Sequence, residues 1–170
     1  MKKILLICSF VFLFLSQSFA QEIVTKTEVV DSAGLKKIVS NNKGKPILLN
    51  FWATWCGPCH SEFPELVAID ADYRKKGLVF NVVSVDNFGL LDSGVKDFLQ
   101  EYKSTMGSYL IDLPNRREIA KAVRQLYPKF SDMYPLTLLF DKNGKLVFQK
   151  LGRINTKLLR LEINKVLAKK

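Results

Sequence analysis

The hydrophobic positions of this chain follow two periods, which predict alternating strands and helices. Residues 47–52 and 78–85 are nearly continuous apolar runs, as expected for strands that are covered on both faces of a sheet. Between them, the apolar residues of 59–75 recur at helical spacing, and Gly77 ends that helix. This strand-helix-strand unit predicts a parallel pair, with any functional site at the carboxyl ends of the strands.

Weaker patterns on both sides extend the sheet and add helices. Before the central unit we predict an extended segment (22–30) and a short helix capped by Asp31 (31–40). After it we predict a helix (93–104), a short strand (109–111), a second helix (115–126), a hairpin (136–150) and a final amphipathic helix capped by Asn155 (155–168). The predicted fold class is therefore α/β. Its central mixed sheet is flanked by helices, and a strand-helix segment is inserted after the first unit.

The first 20 residues have the pattern of a secretory signal peptide. Lys2 and Lys3 precede the apolar-rich run 4–15, and Ser18 and Ala20 stand three and one positions before the predicted cleavage site. The run is shorter than the about 17 to 25 residues that cross a bilayer, which favours cleavage over an uncleaved membrane anchor. We expect residues 1–20 to be a signal peptide, residues 21–170 to form one domain, and the protein to be periplasmic or secreted.

Composition and charge narrow the function classes. The chain has 170 residues with 26 Lys and Arg against 16 Asp and Glu, and losing Lys2 and Lys3 lowers the net charge from +10 to +8. The basic residues are scattered and form no block with aromatic residues, which argues against a nucleic-acid partner. No glycine-rich phosphate loop is present, so no nucleotide is expected. We expect a monomer.

Two cysteines remain after the signal peptide takes Cys8 away. Cys56 and Cys59 are too close in sequence for their disulfide to stabilise the fold by closing a long loop, so they indicate chemistry. Residues three apart on a helix share a face, which suits a reversible dithiol. Cys56 lies at the amino end of the helix, where the dipole favours a thiolate, and is the predicted nucleophile. Cys59 lies one turn deeper and resolves the mixed disulfide.

These residues carry a resemblance to a known family. The string Trp55-Cys56-Gly57-Pro58-Cys59 looks like the thioredoxin active site. The longer string 49–59 resembles the exported TlpA/ResA-like thiol-disulfide oxidoreductases, and the order of elements extends this resemblance over about residues 35–168. It implies a thioredoxin-like fold and a protein disulfide reductase, with Trp55, Gly57 and Pro58 contacting the substrate.

The resemblance also implies roles for two residues before the fifth strand. Pro135 stands where the family places a cis proline that faces the disulfide, and Tyr134 would offer backbone groups to the substrate chain. The preceding segment 127–134 is longer and more aromatic than the family pattern.

The chain also departs from the family pattern at the acid near the dithiol. Thioredoxins carry a buried acid six residues before the first cysteine, where this chain has Asn50, which cannot take a proton. Glu62, one turn beyond Cys59, matches an acid of the exported reductases and is the predicted acceptor of the Cys59 proton. The alternative is a helix-start carboxylate that only interacts with the dipole.

Three other interpretations of the motif stay open. Cys-x-x-Cys followed by His60 also fits covalent attachment of a c-type haem, but the motif follows a buried strand, and only Met106 and Met133 could be axial methionines. A zinc site lacks a distant fourth donor, so we expect no metal or cofactor, and we expect His60 to be an exposed helix residue. The third interpretation is a module that binds client chains and in which redox turnover is incidental.

The resemblance favours reduction over oxidation. A Gly-Pro pair between the cysteines resembles that of reducing thioredoxins. The expected partners are disulfide-bearing protein clients, such as apocytochrome c, and a membrane thiol electron donor that recharges the dithiol. Of the two tryptophans, we expect Trp52 to pack in the core and Trp55 to lie at the surface.

Overall fold

The computed structural model describes residues 26–169, so the predicted signal peptide and the first residues of the extended segment lie outside it. The strands are β1 (Glu28–Val30), β2 (Ile47–Trp52), β3 (Val79–Ser84), β4 (Gly107–Ile111), β5 (Leu136–Phe140) and β6 (Leu146–Leu151). The helices are α1 (Ser32–Ser40), α2 (Gly57–Tyr73), α3 (Lys96–Glu101), α4 (Arg116–Arg124) and α5 (Thr156–Ala168). Every strand and helix predicted within this range is present, with ends shifted by a few residues.

The six strands form one mixed sheet in the order β1-β4-β3-β2-β5-β6. β2 pairs in parallel with β3 and antiparallel with β5, and all of its residues are buried. The inserted segment runs through a 3₁₀ turn (Phe88–Leu90), a π turn (Leu91–Val95) and α3, and its strand β4 pairs in parallel with β3 and β1. The predicted mixed sheet and inserted segment are confirmed.

The connection from β2 to α2 sets the position of the two cysteines. Cys56 is the N-cap of α2, with an extended backbone, and Pro58 follows in the first turn, where its missing N–H leaves no bond unmade. α2 continues through Pro64 to Tyr73 and ends after a 3₁₀ turn at Gly77, whose φ of +96° favours glycine. Both sulfurs therefore lie at the edge formed by the carboxyl ends of the parallel strands.

An aromatic cluster fixes α2 and α3 against the sheet below this edge. Trp52 is fully buried, as predicted, and stacks on Phe98 at 4.2 Å between ring centroids. Phe63 meets the same Phe98 edge-on at 4.7 Å and lies 5.3 Å from Tyr102. Rigid packing of this kind lets the backbone around a site hold its geometry.

Candidate active site

The two cysteines of the motif are joined by a disulfide. Their Cα atoms are 5.2 Å apart, and the Cys59 N–H donates to Cys56 Sγ at 3.3 Å. Cys56 is 5% exposed and Cys59 only 1% exposed, so Cys59 is the deeper of the two, as predicted. The same N–H and the amino end of α2 are placed where they would stabilise a thiolate on Cys56, so its role as nucleophile stays a prediction.

The predicted substrate-contacting residues lie within the motif or against Trp55. Trp55 is 58% exposed, as predicted, and meets the ring of Tyr134 edge-on at 6.1 Å. Gly57 and Pro58 are exposed on the first turn of α2. The Tyr134–Pro135 peptide bond is cis, in agreement with the resemblance. The structure therefore brings the motif and the segment before β5 together at one face.

Two charged residues at this face were missed by the sequence analysis. The guanidinium of Arg116 lies 5.9 Å from the ring centroid of Trp55 and pairs with the Asp132 carboxylate at 2.7 Å. The Tyr134 hydroxyl donates to Asp132 at 3.3 Å, and burial, then the negative charge of Asp132, raises the pKa of Tyr134. Tyr134 therefore stays a neutral donor that holds Asp132 in place.

A cleft of about 380 Å³ opens beside Trp55 and Tyr134. Its apolar wall includes Phe88 and Leu113, and its polar wall includes Asp86 and Asp112. The aromatic segment before Pro135 lines the cleft with Tyr134, whose ring is supported by the buried Phe130 at 5.5 Å. The unusual length of that segment was the one signal in the sequence for this part of the site.

Glu62 is fully buried behind the dithiol, one helical turn beyond Cys59. Its Oε1 accepts from Asn50 Nδ2 at 3.0 Å and its Oε2 accepts from the Ile154 N–H at 2.9 Å. Burial raises the pKa of Glu62 above its ordinary value of 4.5, while the two hydrogen bonds and Arg153 oppose that rise. A buried carboxyl whose pKa lies closer to neutrality is suited to proton transfer. The role of Glu62 as proton acceptor stays a prediction.

Asn50 occupies the place that an acid fills in thioredoxins, and it joins Glu62 to the sheet. Its Nδ2 also donates to Thr137 Oγ1 at 3.1 Å, on the neighbouring strand β5. A second carboxyl at this position would face the oxygen of Glu62 directly, and two carboxylates at that distance do not both ionise easily.

We therefore expect Asn50→Asp to make stability strongly dependent on pH. At low pH the carboxyls at positions 50 and 62 share one proton. Loss of that proton between pH 5 and pH 8 should lower the free energy of unfolding by about 1 to 2 kcal/mol more than in the wild type. Urea unfolding at both pH values measures the difference. Equal pH dependence in the two proteins would show that the two carboxyls do not interact.

His60 is not the exposed residue that the sequence analysis predicted. It is partly buried, its Nε2–H donates to the Thr54 carbonyl at 2.7 Å, and its ring lies edge-on to Phe98 at 4.7 Å. The prediction failed because position alone does not show that the chain before the motif folds back over this helix. In the Cys-x-x-Cys-His string, the two sulfurs are thus bonded to each other and the imidazole is hydrogen-bonded to the Thr54 carbonyl. Among residues 26–169, no group of three or more His, Cys, Asp or Glu side chains is arranged to hold a metal ion.

The chain is similar in sequence and fold to known proteins. The Redoxin family model matches residues 21–167. The thiol-disulfide oxidoreductase ResA of Oceanobacillus iheyensis is 34% identical over 120 residues, which are 71% of this chain and 55% of that protein. ResA of Bacillus cereus is 31% identical over 124 residues, 73% of this chain and 65% of that protein. The solved thioredoxin domain of a thiol-disulfide oxidoreductase from Bacteroides vulgatus superimposes with a TM-score of 0.58 at 27% identity, covering 75% of this chain and 83% of that one.

These matches confirm the thioredoxin-like fold expected from the sequence. The chain spans 55% and 65% of the length of the two ResA proteins, less than two thirds of each. Within the described part of the chain, no helix combines the length and the apolar character that a membrane crossing requires.

Proposed function

Because this chain belongs to the Redoxin family, we propose that it is a thiol-disulfide oxidoreductase that reduces disulfides of protein clients. The observation that carries the proposal is the Cys56–Cys59 disulfide, which lies at the amino end of α2 and is rimmed by Trp55 and Tyr134. Relatives named as thiol-disulfide oxidoreductases support the same chemistry.

The reaction proceeds in two exchanges. The Cys56 thiolate attacks one sulfur of the client disulfide, forming a mixed disulfide and releasing the other client sulfur as a thiolate. Cys59 then gives up its proton, and its thiolate attacks Cys56 Sγ, which releases the second client thiolate and forms the Cys56–Cys59 disulfide. The client gains two electrons and the protein loses two.

The compartment and the partners follow from the sequence features. The signal-like segment 1–20, which lies outside the described residues, supports a location in the periplasm or outside the cell. In such an oxidising compartment, a reductase needs a supply of electrons, for which we propose a membrane thiol donor. Apocytochrome c, whose haem-binding cysteines must be reduced, is the proposed client class.

The direction of electron flow is tested by equilibrium with glutathione. We expect the purified protein to have the reduction potential of a reductant, about −270 mV, rather than that of an oxidant, about −120 mV, because Gly57 and Pro58 separate the cysteines. The fraction of dithiol across a series of glutathione redox buffers, read by alkylation and mass spectrometry, gives the potential. A value near the oxidant end would reverse the proposed direction. Failure of the wild type to exchange with glutathione at all would remove the proposed function.

A client-binding module and a haem carrier are the alternatives that the sequence left open. Client capture that persists in the Cys56→Ala, Cys59→Ala double variant under reducing conditions would favour the module. Absorbance near the Soret band in the purified protein would favour the haem carrier.

A further inference from the structure

Asp86 is a buried carboxylate just beyond the carboxyl end of β3, and the proposed exchange chemistry does not use it. It is 2% exposed, and its two oxygens accept hydrogen bonds from three donors. The Thr54 N–H donates to Oδ2 at 3.0 Å, the Thr54 hydroxyl to Oδ1 at 2.8 Å, and the Ser84 hydroxyl to Oδ2 at 2.8 Å. Burying a carboxylate is unfavourable unless its oxygens are satisfied in this way, so the site is built to bind Thr54.

Thr54 is held from its other side as well. Its carbonyl accepts from His60 Nε2 at 2.7 Å, so both the N–H and the C=O of this residue are engaged, together with its hydroxyl. Thr54 lies two residues before Cys56, and His60 directly follows Cys59. The three side chains therefore connect β3, the chain entering the motif, and the first turn of α2.

Resting on the proposed function, we propose that Asp86, Thr54 and His60 form a clamp that holds Cys56 at the amino end of α2 after the disulfide opens. In the oxidised protein, the covalent bond between the two sulfurs and the hydrogen bonds of Thr54 fix this geometry together. In the reduced protein the covalent bond is gone, and the hydrogen bonds of Thr54 alone join the two flanks of the motif. Asp86, Thr54 and His60 are positioning residues, since they act on the reacting sulfur only through the backbone around it.

The clamp lowers the pKa of the Cys56 thiol, whereas the negative charge of Asp86 raises it, so the variants can tell the two effects apart. Removing a nearby negative charge alone stabilises a thiolate and lowers the thiol pKa. Releasing the clamp lets Cys56 move away from the N–H groups of α2 and raises it. The other ionisable side chains on the elements around the dithiol are not substituted in any of the variants: His60, Glu62, Arg116, Asp132 and Tyr134.

Asp86→Ala is the main variant, and the measurement is the pH dependence of iodoacetamide alkylation of Cys56 in the reduced full chain, with the label located by mass spectrometry. We expect the Cys56 pKa to rise by about one unit, which slows alkylation below both pKa values by about tenfold. Asp112→Asn is the matched control, since it removes an exposed carboxylate from the wall of the same cleft without touching Thr54, and its Cys56 pKa should not rise. Circular dichroism of the reduced proteins shows that each variant is folded.

A second pair of variants keeps the test valid if Asp86→Ala does not fold. Thr54→Val retains the backbone bond but loses the hydroxyl bond to Asp86, and should raise the Cys56 pKa by about half a unit. Thr54→Ser keeps the hydroxyl and should behave as the wild type. Rises in Asp86→Ala or Thr54→Val without rises in the controls support the clamp. An unchanged or lowered pKa in the folded variants overturns it while the proposed function stands. A wild-type thiol that titrates at the ordinary value near 8.5 and does not exchange would overturn both.

Discussion

Cys59→Ala is expected to convert the protein from a turnover catalyst into a trap for its clients. Cys56 keeps its position at the amino end of α2 and still attacks a client disulfide, but the buried sulfur that releases the client is gone. Disulfide reduction should therefore stop at the first exchange, before any client is released, and mixed disulfides should accumulate through Cys56. Non-reducing electrophoresis with mass spectrometry of the captured species measures both effects.

Cys56→Ala is the matched control for the trap. Cys59 lies inside the first turn of α2 and is 1% exposed, against 5% for Cys56, so this variant should lose both turnover and capture, with activity lower by more than about a thousandfold. Equal capture by the two single variants would contradict the assignment of Cys56 as nucleophile. Capture that needs neither cysteine would contradict the exchange mechanism altogether.

Much of the fold was predictable because its signals are local. The continuous apolar run of β2, the helical spacing after Cys59 and the hairpin turn after β5 each determine an element from neighbouring residues. The irregular 3₁₀ and π turns at Phe88–Leu90 and Leu91–Val95 were not foreseen, because their apolar spacing resembles that of an ordinary helix.

The candidate site was predictable only in part, for the same physical reason. Cys56 and Cys59 are recognised from their spacing, but the contacts of Thr54 with Asp86 and of Glu62 with Ile154 join residues far apart in sequence. No local pattern reports such pairings. Asp86 did carry a usable signal, since it comes two residues after the buried strand β3, at the edge where parallel sheets place their sites.

These distant contacts divide the work around the dithiol between two buried carboxyl groups. Asp86 satisfies its oxygens with the backbone and hydroxyl of Thr54, on the side where client chains would approach Trp55. Glu62 lies within α2, one turn beyond Cys59, and burial dominates its pKa. The first carboxyl is thus suited to fix geometry, and the second is suited to change its protonation state.

Glu62→Gln is expected to slow the release of the client rather than its capture. If Glu62 takes the proton of Cys59, the variant should lengthen the lifetime of the mixed disulfide by about a hundredfold, the lower range of what a positioned base contributes. Attack by Cys56 should be unchanged, because that sulfur is stabilised by the end of the helix. Rapid quenching of a reaction with a disulfide-bearing peptide separates the two rates.

The pH dependence of that variant gives the sharper test. Glu62 must be ionised to accept a proton, so wild-type release should accelerate as pH rises through its raised pKa, and Glu62→Gln should lack this step. The same raised pKa means that the folded state holds its proton more tightly than the unfolded state. The contribution of Glu62 to wild-type stability is then greatest below the ordinary value of 4.5 and declines as pH rises through the folded-state pKa, and that decline should disappear in the variant.

Glu65→Gln is the matched control, since Glu65 lies on the same helix but is partly exposed and pairs with Arg153 at 3.6 Å. It should keep both the pH-dependent step of client release and the decline in stability, with their midpoints moved only slightly to lower pH, because the charge of Glu65 is the smallest of the influences on the pKa of Glu62. A Glu62→Gln profile that matches the wild type would assign Glu62 a structural role alone, as the residue that joins Asn50 to the backbone of Ile154. A decline in stability that disappears while client release is unchanged would lead to the same assignment, because a carboxyl can be hard to ionise without taking part in the reaction.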